Sequence, residues 1–165
     1  MEKNAKKLDE SLLIQKPIND LGIAAYMMMH GYEIIGRHNR TVYFQTDESE
    51  EQNFNKLSFE YLSSSYHDFD SCLMSLKKVG EFDPKKYVEK PLMRKPINDL
   101  GIAAYMMMNK YKVIGRYNRT VYFEINELDE RKFDGLSFKY LSSPYHTFDS
   151  CLMALKKVGE FDPNR

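Results

Sequence analysis

The chain has 165 residues, 24 basic and 24 acidic side chains, and no formal net charge. That balance excludes the broad basic excess of a general nucleic-acid binder, so any anion site must be local. Its two cysteines form no Cys-x-x-Cys pair, and its longest uncharged run, Leu21 to Tyr32, is far short of the roughly 20 residues of a membrane span.

The charged start, Met1 to Glu10, has no secretory pattern, so a reduced, cytoplasmic setting is expected. The Asn-Arg-Thr sequons at Asn39 and Asn118 then carry no glycan.

Residues 16–84 recur as residues 95–163 at a constant offset of 79, with 51 of 69 positions identical. Residues 1–15 are a lead-in and residues 85–94 a linker. The first repeat has 6 basic and 11 acidic residues, a net −5; the second has 10 and 9, a net +1. A unit of about seventy residues is near the lower limit for a stable core. Packing the two together would enlarge it.

In chain order, the apolar residues Leu12–Ile14 and Leu92-Met93 each precede Lys-Pro. Proline disfavours helix in the residue before it, so a short extended segment is predicted in both copies. Asp20 and Asp99 are placed to cap helices over Leu21–His30 and Leu100–Asn109, whose bodies carry no charge and so read as enclosed on nearly all sides. Gly31 suits a left-handed stop; Lys110 replaces it in the second copy, where Asn109 is a substitute. The period then changes. Ile34-Ile35 and Thr41–Phe44 are β-formers flanking Asn39, and the pattern recurs around Asn118, which predicts a hairpin in each repeat. Val42 and Phe44 share one face; Thr41, Tyr43 and Gln45 share the other. Phe54, Leu57, Tyr61 and Leu62 recur at helical spacing. Ser63–Ser65 break the pattern, and a last helix runs from about His67 to Val79, with Phe69, Cys72, Leu73 and Leu76 as its apolar stripe and Gly80 as its stop. The predicted class is α+β: two tandem α-β-β-α-α repeats with antiparallel hairpins, packed as a pseudo-twofold unit.

Asp20-Leu21, Ala24-Ala25-Tyr26, Val42-Tyr43-Phe44 and Leu76-Lys77, with their copies 79 residues later, resemble a family of small uncharacterised phage and prophage domains. The resemblance covers nearly all of each repeat and implies a phage or mobile-element setting. Tandem copies would stand where a homodimer stands elsewhere. The family brings no activity with it, and Gly22 occupies a place where a bulkier residue is expected.

The hairpin turns are the candidate ligand-binding site: Arg37, Asn39, Arg40 and Tyr43, repeated as Arg116, Asn118, Arg119 and Tyr122. Guanidinium forks pair with phosphate, and an outward tyrosine stacks on a base. Against this, charged turns also occur on sheet edges merely as solvated structure. His67 and Cys72, five apart on a helix, point about 140° away from each other and make poor co-ligands. Cys72 reads as core, and Met27–Met29 as core filler or an adaptable surface. No metal, cofactor or catalytic group is implied. The expected function is a non-enzymatic phage-type binding protein taking nucleic acid or a nucleotide at the paired hairpins. The alternative is a protein-interaction module that binds and inhibits a host defence or transcription protein, its acidic first repeat acting as a nucleic-acid-like surface.

Overall fold

The computed structural model describes residues 13–81, 83–86, 92–160 and 162. It is an α+β protein with six helices and two three-stranded antiparallel sheets among those residues. The chain divides into two compact units. The first comprises residues 1–62 and 151–165, the second residues 63–150.

In the first unit, β1 (Leu13–Ile18) leads into α1 (Leu21–Met29), then β2 (Glu33–His38), β3 (Thr41–Asp47) and α2 (Glu51–Leu62). Asp20 caps α1 by accepting from the Ile23 amide at 2.9 Å. Gly31 takes φ +86° just past the helix, a conformation open to glycine at no steric cost. The segment before Lys16-Pro17 is more than the short extended entry that the sequence predicts. It is a full strand, and the sheet order is β1-β3-β2. Pro17 lies opposite Tyr43 on this edge strand, where a missing amide hydrogen costs no ladder bond. Ile18, Lys16 and Ile14 face Val42, Phe44 and Thr46, so these share the inner face. Val42 and Phe44 are fully buried there. Lys16 cannot bury its charge, and its ammonium pairs with Glu51 in the first turn of α2.

The second unit repeats this order: β4 (Leu92–Ile97), α4 (Leu100–Met108), β5 (Lys112–Tyr117), β6 (Thr120–Asn126), a single 3-10 turn at Glu127–Asp129 and α5 (Glu130–Leu141). Asp99 accepts from the Ile102 amide at 2.8 Å. Here Lys110 itself, not Asn109, takes the left-handed conformation, at φ +69°. Lys95 reaches Glu130 at 2.5 Å and Asp134 at 3.3 Å, and Glu130 before all else holds its ammonium above the ordinary lysine pKa.

This second unit also contains α3 (Ser65–Lys77), which belongs to the first sequence repeat and packs on α4. It starts two residues earlier than expected, with Ser64 as cap. The last helix, α6 (Pro144–Leu155), begins on proline, the residue pre-set for a first helical position. The second unit's core is aromatic. Phe69 of α3 lies 6.1 Å from Tyr140 and 5.4 Å from Tyr145, and Tyr105 of α4 lies 5.8 Å from Tyr140, all ring centre to ring centre. Tyr140 donates to Asp149 Oδ2 at 2.9 Å, and burial before all else pushes its phenol far above the ordinary range.

Three expected core positions need revision. Leu62 is exposed rather than part of the α2 stripe, and so is its counterpart Leu141. Cys72 and Cys151 are free and only half-buried. Of the methionine triplets, Met27 and Met106 are fully buried while their two successors are not.

Candidate functional site

Both hairpins close over two residues, with Asn39 and Asn118 at φ +55°. A two-residue turn of this hand matches the twist of the strands it joins, and asparagine tolerates the positive φ. Each turn is tied down from the side. Thr41 Oγ1 donates to Asn19 Oδ1 at 2.6 Å, and Thr120 Oγ1 to Asn98 Oδ1 at 2.7 Å. The asparagines proposed as ligand groups thus act first through their backbone.

The arginines divide into two kinds. Arg37 Nε donates to the Asn39 carbonyl at 2.8 Å, and Arg116 Nε to the Asn118 carbonyl at 2.9 Å. One edge of each guanidinium is therefore held. Its orientation is fixed before any ligand arrives, which lowers the ordering cost of binding. Arg40 and Arg119 sit in the turns themselves and are exposed.

Arg37 lies opposite Val42, and Gly36 opposite Tyr43. Directly opposed residues point to the same face, so Arg37 lies on the helix-covered side and Tyr43 on the outer side. The second hairpin has the same register, with Arg116 opposite Val121 and Tyr122 opposite Gly115. The arginine and tyrosine of one hairpin therefore do not share a face. Beside Arg37 runs the chain after α6: the Arg37 amide donates to the Gly159 carbonyl at 3.1 Å, and the backbones of Arg37 and Glu160 form an isolated parallel β-bridge. In the second unit the chain after α3 does the same, the Arg116 amide donating to Gly80 at 3.1 Å, beside Glu81. Backbone on this flank is already occupied.

The outer face holds a different set. Tyr122 lies between Pro96 on β4 and Gly115 on β5. The Arg94 guanidinium stands 5.9 Å from the centre of that ring, donates to the Pro84 carbonyl and lies opposite Glu124. Tyr117, opposite Thr120, belongs to the same face and is 50% exposed. Arg119 stands at the adjoining turn. The first unit presents His38, Tyr43 and Arg40 in the equivalent places, with Gln15 for Arg94. Sequence reasoning missed Arg94 because the strand that carries it was not recognised. Two-residue alternation back from Pro96 would have placed it.

A second feature is apolar. Phe59 and Leu62 on α2 are 74% and 54% exposed; Phe138 and Leu141 on α5 are 76% and 55% exposed. Each pair is three residues apart and so shares one helix face. The described residues include no group of three or more His, Cys, Asp or Glu able to hold a metal ion. None of their helices is long and apolar enough to cross a membrane. Comparison with protein-family models, with curated proteins and with solved structures gave no match.

Proposed function

We propose that this chain is a non-enzymatic, phage-type binding protein that takes nucleic acid on the outer sheet faces and turns of its two units. The observation that carries this reading is the face formed by Tyr117, Tyr122, Arg94 and Arg119. Two aromatic rings beside the turn guanidinium of Arg119, with Arg94 over Tyr122 and tied to the Pro84 carbonyl, offer stacking surface and a phosphate partner in one strip, which suits single strands better than a duplex. A free nucleotide would use the same groups with fewer contacts. The two repeats are, on this reading, pseudo-twofold partners that exchange their last segments. Arg37 with Gly159 and Arg116 with Gly80 are equivalent pairs under the offset of 79, each joining one repeat to the other. The setting is the cytoplasm of a phage host.

The test is binding of short labelled oligonucleotides at two salt concentrations. Replacing Tyr117 and Tyr122 by Ala should cost about 1–3 kcal/mol per stacked base. Replacing Arg40 and Arg119 by Ala should weaken binding and flatten its salt dependence, because fewer counterions are released. A parent that binds no oligonucleotide at low salt ends this reading.

The second reading, a module that binds a host protein, is favoured by Phe59/Leu62 and Phe138/Leu141. Large apolar side chains left in water on two equivalent helices fit a protein partner better than a nucleic acid. Host-protein capture that survives nuclease and is lost in Phe59→Ser, Phe138→Ser would favour it.

A further inference from the structure

Eighteen positions distinguish the second repeat from the first, and they are not spread evenly. In the second unit an open cleft of about 400 Å³ lies where the end of α4 and the turn after it meet β6 and the start of α5. Nine of its lining residues fall within the repeat, and eight of those nine differ from their counterparts; only Tyr111 is retained. The other ten differences are scattered over the remaining sixty positions. Exposure alone does not explain the concentration. Arg40, Phe59, Leu62, Ser71, Met74 and Lys77 are all exposed and all unchanged in the second copy, whereas the buried Ile125 of the cleft replaces Thr46.

The changes reverse a charge. Among those nine positions the first copy has three acidic residues, Glu33, Asp47 and Glu50, and no basic ones. The second has Lys110, Lys112 and Lys132 against Glu124 and Asp129, which moves the net from −3 to +1. Lys112 is taken by Glu124 at 2.8 Å. The side chains of Lys110 and Lys132 make no hydrogen bond or ion pair among the described residues, yet both line the cleft. Lys110 is moreover held at φ +69°, where the first copy has glycine at the equivalent turn. A side chain in that conformation costs stability, and the cost is retained here for a lysine. Two unpaired ammoniums match the charge of roughly −2 that a phosphomonoester carries at neutral pH. Leu92, 37% exposed at the rim, adds apolar surface for a small organic body.

We propose that the cleft of the second unit is a site for a small phosphate-bearing molecule, held by Lys110 and Lys132, which the first copy lacks. It lies at the opposite end of the sheet from the hairpin turn, and it does not depend on the nucleic-acid reading.

The experiment is a calorimetric titration of the full chain with inorganic phosphate and with adenosine monophosphate, alongside amide NMR shifts. Saturable binding at one site is expected, with shifts confined to residues 109–112 and 124–132. The variant K110G/K132N carries residues that the first copy already has at these positions and leaves the Lys112–Glu124 pair in place, so it should fold, and its melting temperature should match or exceed that of the parent. Binding should weaken at least tenfold. K132N alone, on an exposed helical position, should weaken binding several-fold without touching the turn. The inference is overturned if neither probe binds the parent saturably. It is equally overturned if the double variant and K132N both bind as the parent does.

Discussion

Replacing Gly101 with alanine tests the packing at the centre of the second unit. Gly101 lies in α4 and is buried. A Cβ placed on it would stand 2.8 Å from Tyr140 Cζ and 2.6 Å from Asp149 Oδ2, with Tyr140 Oη nearer still. Ordinary contact begins near 3.4 Å, so the tyrosine and the carboxylate must both move. Helix propensity alone favours alanine by about 1 kcal/mol. Overpacking costs about 1–3 kcal/mol. Forcing the Tyr140 hydroxyl off Asp149 leaves a buried polar group unsatisfied, at about 1–3 kcal/mol more. The net expectation is a loss of about 2 kcal/mol, or on the order of 4–8 °C in melting temperature for a chain of this size. The assay is thermal and urea denaturation of Gly101→Ala, alone and combined with Tyr140→Phe. Removing the hydroxyl takes away the nearest obstacle, so the alanine should cost less when the Tyr140→Phe change is already present. A Gly101→Ala protein as stable as the parent, or more so, would show that propensity wins and that the close approach is not a constraint.

Ala104→Asp places a carboxylate at a position with no solvent exposure and should destabilise by at least about 3 kcal/mol at pH 7. Burial would raise that carboxyl's folded pKa above its unfolded value, so the penalty is full above the folded pKa and shrinks as the pH falls from there towards about 4; a urea midpoint insensitive to the substitution would place the position at the surface. Lys110→Gly relieves a left-handed lysine and should stabilise by about 1 kcal/mol, read from the urea midpoint; a destabilised variant would mean that the lysine side chain supports the fold. Burial, and secondarily Asp68, raises the Cys72 thiol pKa, and burial raises that of Cys151. Less thiolate is then present at about pH 8, so alkylation by iodoacetamide, followed by mass spectrometry, should be slower than for a free cysteine; faster alkylation would contradict this.

The helix caps, the hairpin turns and the change of period were legible because each is written locally. Asp20, Asn39 and the Thr41–Phe44 alternation need no distant partner to be read. The strands β1 and β4 were legible only as short extended entries, and their pairing at the sheet edge was not, because Lys-Pro reads as punctuation unless the strand is known to lie at an edge. The place of α3 was not legible for a different reason. Residues 18–29 and 97–108 are identical, so the sequence offers α3 two indistinguishable surfaces and cannot say that it packs on α4 rather than α1. The site was half legible. The residue types at the turns were visible, but pairing across a two-residue turn puts Arg37 opposite Val42 and hence on the face away from Tyr43, and that count was available from Asn39 alone. Gly22, a misfit in the phage-domain pattern, has its counterpart Gly101 against Tyr140 and Asp149, where a larger residue has no room.

The packing of α3 on α4 also bears on where the two copies are free to differ. A helix from the first repeat that packs on a helix from the second ties the two sequences together: a change on either surface must be met by a change in the other copy. The twelve residues of the α1 and α4 segments show no difference at all. Between α3 and α6 only three positions differ, Ser65/Pro144, Asp68/Thr147 and Ser75/Ala154, and all six residues are exposed. Residues of β5, β6 and α5 at the far end of the sheet carry no such obligation. Glu33/Lys112 and Asn53/Lys132 differ on β5 and α5 and their first-copy counterparts, outside the α3–α4 pair, while Lys110 stands close enough to Cys72 of α3 to offset part of the rise that burial gives its thiol pKa. Coupled packing at one end and independence at the other would let a duplicated chain keep its fold while one copy acquires a charge the other lacks. On that argument, function specific to one copy is to be sought in the cleft, and function shared by both on the turns and the exposed helix faces, where Arg40/Arg119 and Phe59/Phe138 are the same.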